Sequence, residues 1–406
     1  MSAVASKRRI AIFFLPVGLL GRERLLLAIT RQALADGHSV DLLTPSSAAW
    51  LRSALPSGAN LIDLSGWWMG PERQHARAKR RTYLAVPTLA RYLRRARPDV
   101  LLAASVPPGI AAILAQRLSG VATRMVIRQS DPLRVPGHPD YDGILERRRD
   151  RWIPTLWPDA AGIIAVSEGV AETVRLATDL PARRVRAVPN AVDLTEIADA
   201  AAKPSDHPWF ANGAPPVIVN VGRLAPQKDQ ATLIRAFARV RADRPVRLVI
   251  FGQDMGQGEA LRAFADDLGV GGDVDLVGFH NNPYSHMAQA SLFVLSSIRE
   301  GMCNALIEAL ACGCPTVSTD CPCGAREVLD DGRHGALVPV GDDEALAVAM
   351  LRTLDAPPEA ATLEAHAGTF AVERAVKAYL DTLLCVAAGD TVGTGLESAT
   401  PPTPTA

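Results

Sequence analysis

The stretch Glu300-Gly-Met-Cys-Asn-Ala-Leu-Ile-Glu308-Ala-Leu-Ala-Cys-Gly-Cys-Pro315 sets two carboxylates eight residues apart around a helix start. Asn304 is of a type that caps helices, Ala305 to Cys312 favour helix, and Gly313-Cys314-Pro315 stops the run before a β-type segment, Pro315 to Ser318. Glu300 is expected just before this helix and Glu308 inside it. There Ile307, Ala309 and Leu310 leave Glu308 part-buried and in need of a partner. A carboxylate accepts two hydrogen bonds side by side, which matches the vicinal hydroxyls of a ribose or pyranose ring. Two such groups could hold two sugar rings, as in a sugar nucleotide. Alternatively, one Glu simply favours the helix macrodipole and the other is exposed.

Upstream, Val221-Gly222-Arg223-Leu224-Ala225-Pro226-Gln227-Lys228-Asp229 leaves the apolar run Val217 to Val221. It leads into a helix expected over Ala231 to Ala242, whose first amides would attract anions. Arg223 and Lys228 in that loop can neutralise a leaving diphosphate without a metal; as an isolated pair they would read as surface side chains. Strands at Val246 to Phe251, Val274 to Val277 and Leu292 to Leu295 and a helix at Glu259 to Leu268 complete a second α/β unit. The first half alternates in the same way. Short apolar strands are expected at Ile10 to Leu15, Ser39 to Thr44, Val100 to Ala104, Arg124 to Ile127, Gly162 to Val166 and Val185 to Pro189. Helices are expected at Glu23 to Asp36, Tyr83 to Arg97 and Gly109 to Ser119. Fully apolar strands belong in parallel sheets covered on both faces. Two doubly wound sheets would leave a cleft where strand carboxyl ends meet a ligand. The expected division is an N-terminal domain over 1–197, a linker over 198–214, a C-terminal domain over 215–372, a closing helix over 373–388 and a disordered tail over 389–406.

The 406 residues and 48% hydrophobic content suit two packed domains. Lys and Arg balance Asp and Glu at 43 each, but residues 1–200 carry a charge of +10 and residues 201–406 one of −10. That asymmetry argues against a whole-protein nucleic-acid binder. Arg77 to Arg81, Arg91 to Arg97 and Arg147 to Arg151, beside Trp152, Leu156 and Trp157, could rest on anionic lipid or be solvated helix faces. Ile10 to Leu20 mimics a signal-peptide core but contains Pro16 and Gly18, and Val100 to Ala115 is broken by Pro107-Pro108-Gly109, so a cytoplasmic protein is expected. Five of the six cysteines crowd between Cys303 and Cys323 without paired CxxC spacing, and read as reduced, buried thiols rather than zinc ligands. Asp273-Val-Asp275 reads as turn chemistry, and Gly252 to Gly258 as a turn rather than a dinucleotide fingerprint.

With the Val221 to Asp229 loop ahead and Ser318-Thr-Asp-Cys-Pro-Cys-Gly-Ala-Arg-Glu327-Val-Leu behind, the chain resembles the retaining family-4 glycosyltransferases, and among them bacterial enzymes of surface-polysaccharide or lipid-linked oligosaccharide synthesis. The resemblance runs from Lys7 to Leu384 and is most ordered from Val217 to Val340. It implies the GT-B fold, two Rossmann-like doubly wound domains facing a central cleft. It implies that Gly222, Arg223 and Lys228 bind the donor pyrophosphate, that Glu308 takes the ribose hydroxyls, and that Glu300 takes the transferred sugar. Gly301, Met302, Cys303 and Asn304 would contact the pyranose and phosphate, and Phe279 with His280 would lie near the base. Gly21 would approach the donor phosphates in a loop that in relatives reads Gly-Gly-x-Glu-Arg and here reads Leu20-Gly21-Arg22-Glu23-Arg24, departing at Leu20.

By the same resemblance the catalytic set is Glu300, Arg223, Lys228 and, on the acceptor side, Arg128. Ser130 and Asp131 are alternatives where many relatives carry a His. Ser167 to Gly169 and Asn190 to Asp193 would line the cleft. The implied reaction is metal-independent and cofactor-free: a sugar moves with retention from a nucleoside-diphosphate donor, uridine diphosphate first, to a hydroxyl of a glycan or lipid-linked acceptor. It would take place at the inner face of the membrane, with no nucleic-acid partner. A sugar-nucleotide epimerase or hydrolase of the same fold, or a non-catalytic sugar-nucleotide binder, are the alternatives.

Overall fold

The computed structural model describes residues 7–16, 18, 21–46, 49–66, 69, 75–139, 141 and 150–392, the side chains of 75–79 excepted. The chain divides into two compact units, residues 1–191 with 372–406, and residues 192–371. The tail beyond 392, Leu20, Arg147 to Arg149 and the side chains of Arg77 and Lys79 lie outside the described residues.

The first unit holds seven strands: β1 (Arg9–Phe13), β2 (Ser39–Thr44), β3 (Asn60–Asp63), β4 (Val100–Ala103), β5 (Arg124–Gln129), β6 (Gly162–Ala165) and β7 (Val185–Ala187). They form one parallel sheet in the order β3-β2-β1-β4-β5-β6-β7, with Ile10 opposite Val40 on one side and Val100 on the other. Ile10, Ile12, Leu102, Val126 and Ile164 are buried in one apolar cluster with Tyr379, Leu383 and Val386 of the helix Val372–Ala388. Each such side chain contributes about 1.5–3 kcal/mol through burial. On β2, next to the edge strand, buried Asp41 accepts from Arg9 Nε at 2.8 Å, Asn60 Nδ2 at 2.9 Å and the Tyr92 hydroxyl at 2.5 Å.

Pro107-Pro108-Gly109 does break the run Val100 to Ala115, into β4 and a helix, but that helix, Val106–Ser119, starts three residues earlier than expected, because its first turn needs no amide donors from proline. One expectation needs correction here. The helix expected over Tyr83 to Arg97 is two, His75–Leu84 and Val86–Ala96, the second again with a proline in its first turn.

The second unit holds β8 (Val217–Val221), β9 (Arg247–Phe251), β10 (Val274–Gly278), β11 (Leu292–Leu295), β12 (Thr316–Thr319) and β13 (Ala336–Val338), all parallel in the order β10-β9-β8-β11-β12-β13. Its core joins Ile218, Leu248, Ile250, Leu292 and Val294 to Leu233 and Phe237 of the helix Gln230–Asp243. The sequence order reverses between β8 and β11, so the connections leaving these neighbours run to opposite sides and open a crevice at their carboxyl ends. Of the segment 198–214, residues 198–201 end the helix Leu194–Ala201, and His207 Nε2 lies 3.0 Å from Asp275 Oδ2, which ties the segment to β10.

Candidate active site

The loops leaving β8 and β11 carry the two principal groups. Lys228 Nζ donates to Glu300 Oε1 at 2.7 Å, with the side chains 12% and 10% exposed. Ser297 Oγ donates to the same carboxylate oxygen at 2.8 Å. Cys303 Sγ lies 3.9 Å from Lys228 Nζ. Burial disfavours the Lys228 ammonium, and Cys303 would support it only as a thiolate, which burial prevents by pushing that thiol up to about 11. The Glu300 carboxylate therefore holds the Lys228 pKa above the usual lysine value.

The backbone around this pair is pinned from several sides. Ser296 Oγ donates to Lys228 O at 2.9 Å, Ile298 N to Gln227 O at 2.9 Å, and Thr319 Oγ1 of β12 to Ser297 O at 2.6 Å. A side chain at Gly222 would meet Lys228 Cε at 3.2 Å, so glycine there leaves the path along which Lys228 reaches Glu300. Gly324, at φ +82°, lets its own turn close over the Gly301-Met302 backbone; a Cβ there would sit 2.7 Å from Met302 Cα and 2.8 Å from Gly301 O. Ser296, Ser297, Thr319 and Gly324 were not among the residues picked out from sequence. Only the Ser318 to Leu329 motif hinted at the last two.

Asn304 begins the helix Asn304–Ala311 rather than capping it. The extended residue Cys303 is the cap, and its carbonyl accepts from Leu306 N at 3.2 Å and Ile307 N at 3.4 Å. Met302 and Cys303 are buried beneath this helix start. Glu308 is half-buried within the helix, with the Tyr284 hydroxyl 3.5 Å from Oε1. Arg223 is exposed, without a side-chain partner among the described residues, and its carbonyl accepts from Gln230 Nε2 at 3.0 Å. At the start of the helix Gln230–Asp243, expected to attract anions, Asp229 Oδ1 accepts from Thr232 N at 3.3 Å and puts one carboxylate at the cap. Phe279 follows β10 and is 68% exposed.

The remaining candidates separate by unit. Gly21, expected in the loop ahead of the first helix, is the exposed first residue of that helix, Gly21–Ala35, and Glu23 is a buried first-turn residue paired with Arg22. Arg128, at the end of β5, is buried and donates from Nε to the Tyr379 hydroxyl at 2.9 Å, from Nη2 to Asn190 Oδ1 at 2.6 Å and from Nη1 to Ser130 Oγ. Ser167 Oγ accepts from Val170 N at 3.2 Å as a helix cap, and Asp193 caps the next helix by accepting from Glu196 N at 3.0 Å.

Other sequence features have structural explanations. Asp273 pairs with Arg241 at 2.7 Å and Asp275 with His207, which uses up the Asp-x-Asp. Asp254 Oδ1 accepts from Gly256, Gln257 and Gly258 amides at 2.8, 2.8 and 3.0 Å, so the glycine-rich turn binds its own carboxylate. The six cysteines form no disulfides; burial raises Cys312 and Cys323 to about 12, leaving them thiols at neutral pH. Among the described residues no helix is long and apolar enough to cross a membrane.

Comparison with known proteins places the chain in a family. Residues 215–356 match the family model described as glycosyl transferases group 1, and residues 21–196 match that of glycosyltransferase family 4. The lipopolysaccharide core biosynthesis glycosyltransferase LpsE of Rhizobium meliloti is 31% identical over 257 residues, 60% of this chain and 71% of that protein. A Campylobacter jejuni protein, N-acetylgalactosamine-N,N'-diacetylbacillosaminyl-diphospho-undecaprenol 4-alpha-N-acetylgalactosaminyltransferase, is 34% identical over 245 residues, 59% of this chain. The match spans 62% of that relative's length. The crystal structure of Anabaena HepE in complex with UDP and glucose superposes with a TM-score of 0.74 at 19% identity, covering 93% of this chain and 99% of that one. The chain belongs to the family-4 glycosyltransferases, the glycosyl transferases group 1, and has their GT-B fold.

Proposed function

We propose that the chain is a retaining, metal-independent hexosyltransferase that moves a sugar from a nucleoside-diphosphate donor, uridine diphosphate first, to a hydroxyl of a glycan or lipid-linked acceptor in surface-polysaccharide synthesis. The carrying observation is the Lys228–Glu300 pair at the strand-order reversal, with exposed Arg223 on the same loop as Lys228 and Glu308 in the helix that follows Glu300. Lys228 and Arg223 stabilise the diphosphate as it leaves, supplying charge where charge develops. Glu300 orients the transferred sugar and Glu308 the ribose, each through paired acceptor oxygens. The leaving phosphate takes the proton of the incoming hydroxyl on the face it departs from, so the protein needs no separate general base. Arg128 is assigned to the acceptor side, and Gly21 to the donor phosphates.

The names of the Campylobacter and Rhizobium relatives support a lipid-linked or lipopolysaccharide acceptor, and the UDP in the Anabaena complex supports the donor. Leu156 and Trp157 are buried and so not free to rest on lipid, but Trp152 is exposed, which supports peripheral contact with anionic membrane; salt-sensitive sedimentation with anionic liposomes would test it. The donor assignment is tested by calorimetric titration with uridine, guanosine and adenosine diphosphates, without metal and then with magnesium, on the wild type, Glu308→Gln and Lys228→Ala. Metal-free binding of one nucleotide, weakened in both variants, is expected. Absence of binding to all three would remove the assignment.

A further inference from the structure

Away from the Lys228–Glu300 pair, three ligand-type side chains from separate stretches of the second unit converge. Asp206 precedes the turn Pro208–Phe210, His280 follows β10, and His286 lies in the one-turn helix Tyr284–Met287. One donor atom from each lies within 4.8 Å of the others. His286 Nε2 is 3.0 Å from Asp206 Oδ1, and His280 Nε2 is 3.4 Å from Asp206 Oδ2. Ligand atoms around a tetrahedral zinc with bonds of about 2.0–2.1 Å sit about 3.3 Å apart; the His286–Asp206 Oδ1 edge is close to that, while His280 faces the other oxygen, Oδ2, so rotation of the exposed Asp206 carboxylate and of His280 brings the three donor atoms from within 4.8 Å onto one ion.

The surroundings of His286 favour an ion over a simple hydrogen-bonded triad. Its Nδ1 is 3.2 Å from Asn282 O, with Ser285 Oγ at 3.3 Å, the kind of backbone-carbonyl contact that fixes the tautomer of a metal-binding imidazole. With the proton on Nδ1, Nε2 and Asp206 Oδ1 are two acceptors facing each other at 3.0 Å, an arrangement a cation between them resolves. His280 is the weaker ligand, because its Nδ1 accepts from Asn282 N at 3.2 Å and would have to give up that contact to take the proton. The side chain of His286 is 1% exposed and anchors the group, while Asp206 at 75% and His280 at 23% leave an entry path and room for a water as fourth ligand.

We propose that Asp206, His280 and His286 bind a divalent cation of the zinc class. Two imidazoles and one carboxylate select such an ion over magnesium or calcium, which prefer all-oxygen sets. The ion clasps the stretch before Pro208 onto the loop after β10. It is a structural clamp: His280 adjoins exposed Phe279, and His286 shares a helical turn with Tyr284, the neighbour of Glu308. That last consequence, stiffening of the nucleoside side of the donor site, rests on the function proposed above; the binding itself does not.

The test uses the untagged full chain, stripped with chelator and free of nucleotide, titrated calorimetrically with zinc and with magnesium, with cobalt(II) as a spectroscopic probe. One equivalent of zinc and no magnesium should bind. Bound cobalt should show visible bands of nitrogen and oxygen ligation without a thiolate charge-transfer band. Zinc affinity should fall at least tenfold in Asp206→Asn and in His280→Gln, whose thermal unfolding in chelator should match the wild type. No zinc uptake by the wild type, a thiolate band, or unchanged affinity in both variants would each overturn the proposal. Because no nucleotide is present, failure of the transferase assignment would leave this result standing.

Discussion

Replacing Glu300 with Gln removes the charge that holds Lys228. At 2.7 Å the attraction between the two groups is about 6 kcal/mol at an effective dielectric of about 20. Desolvation of both offsets most of this, but breaking such a pair from one side strands the other charge at a cost of about 3–5 kcal/mol. The second unit of Glu300→Gln should therefore be less stable by about 3 kcal/mol, the low end, because Lys228 keeps a neutral oxygen in reach. A nucleoside diphosphate supplies the missing anion. If about 1.4 kcal/mol of the stranded cost is recovered, Glu300→Gln binds uridine diphosphate about tenfold more tightly than the wild type. Transfer from the sugar nucleotide should fall about 100-fold or more, because the group that orients the sugar is gone. Calorimetric melting with and without uridine diphosphate, isothermal titration and turnover read the three quantities separately. Unchanged melting together with tenfold weaker nucleotide binding would refute the reasoning, since Glu300 would then not be competing with phosphate for Lys228.

Gly324→Ala forces a Cβ into the Gly301-Met302 backbone at a φ of +82°, so it should cost about 1–3 kcal/mol of stability. It should also weaken donor binding more than a distant Gly→Ala change such as at Gly272, where nothing lies within 4 Å of the added Cβ; titration of both variants checks this. Tyr92→Phe removes one of three donors to buried Asp41, at about 1–3 kcal/mol in denaturant unfolding. Burial works against the Asp41 carboxylate, but the Tyr92, Arg9 and Asn60 hydrogen bonds outweigh it and hold its pKa below the ordinary value. Its contribution is thus present above about pH 4 and lost as pH falls below that, and acid unfolding of Tyr92→Phe should begin at higher pH. Asp229→Ala removes a helix cap at a residue with φ +46° and should lower the thermal midpoint through a loss of about 1–2 kcal/mol.

The sheets were legible because both are parallel and buried on both faces, so β1, β4, β6, β8, β9 and β11 stand in the sequence as short apolar runs. Edge strand β3 was not: Asn60-Leu-Ile-Asp63 is only half-buried and carries two apolar residues. The placement of Lys228 and Glu300 on adjacent loops, and of Glu308 in the helix that follows, was legible because all three stand in ordered motifs. Ser297 and Gly324 were not, because their value lies in contacts the sequence does not print: a hydroxyl sharing one oxygen of Glu300 with Lys228, and a missing Cβ against a backbone over twenty residues away. The Asn304 cap failed for a local reason, since the helix takes one more residue than the capping preference alone assigns.

Arg128 and Lys228 are both buried cations, yet they are held in opposite ways. Lys228 rests against a carboxylate and must leave it to meet an anion. Arg128 donates to a phenol, an amide oxygen and a hydroxyl, all neutral, which hold the guanidinium plane through residues at positions 379, 190 and 130 without neutralising it. A guanidinium has five N–H donors, so two remain after these three bonds. A buried positive charge that, among the described residues, is held by neutral acceptors with two donors to spare is better suited to meet an anion, such as the phosphate of a lipid-linked acceptor, than to stabilise a fold, because such an anion would offset its desolvation. Tyr379, in the helix that returns to the first unit after residue 371, thereby acts as a positioning residue for Arg128. This physical distinction supports Arg128, rather than Ser130 or Asp131, as the acceptor-side group.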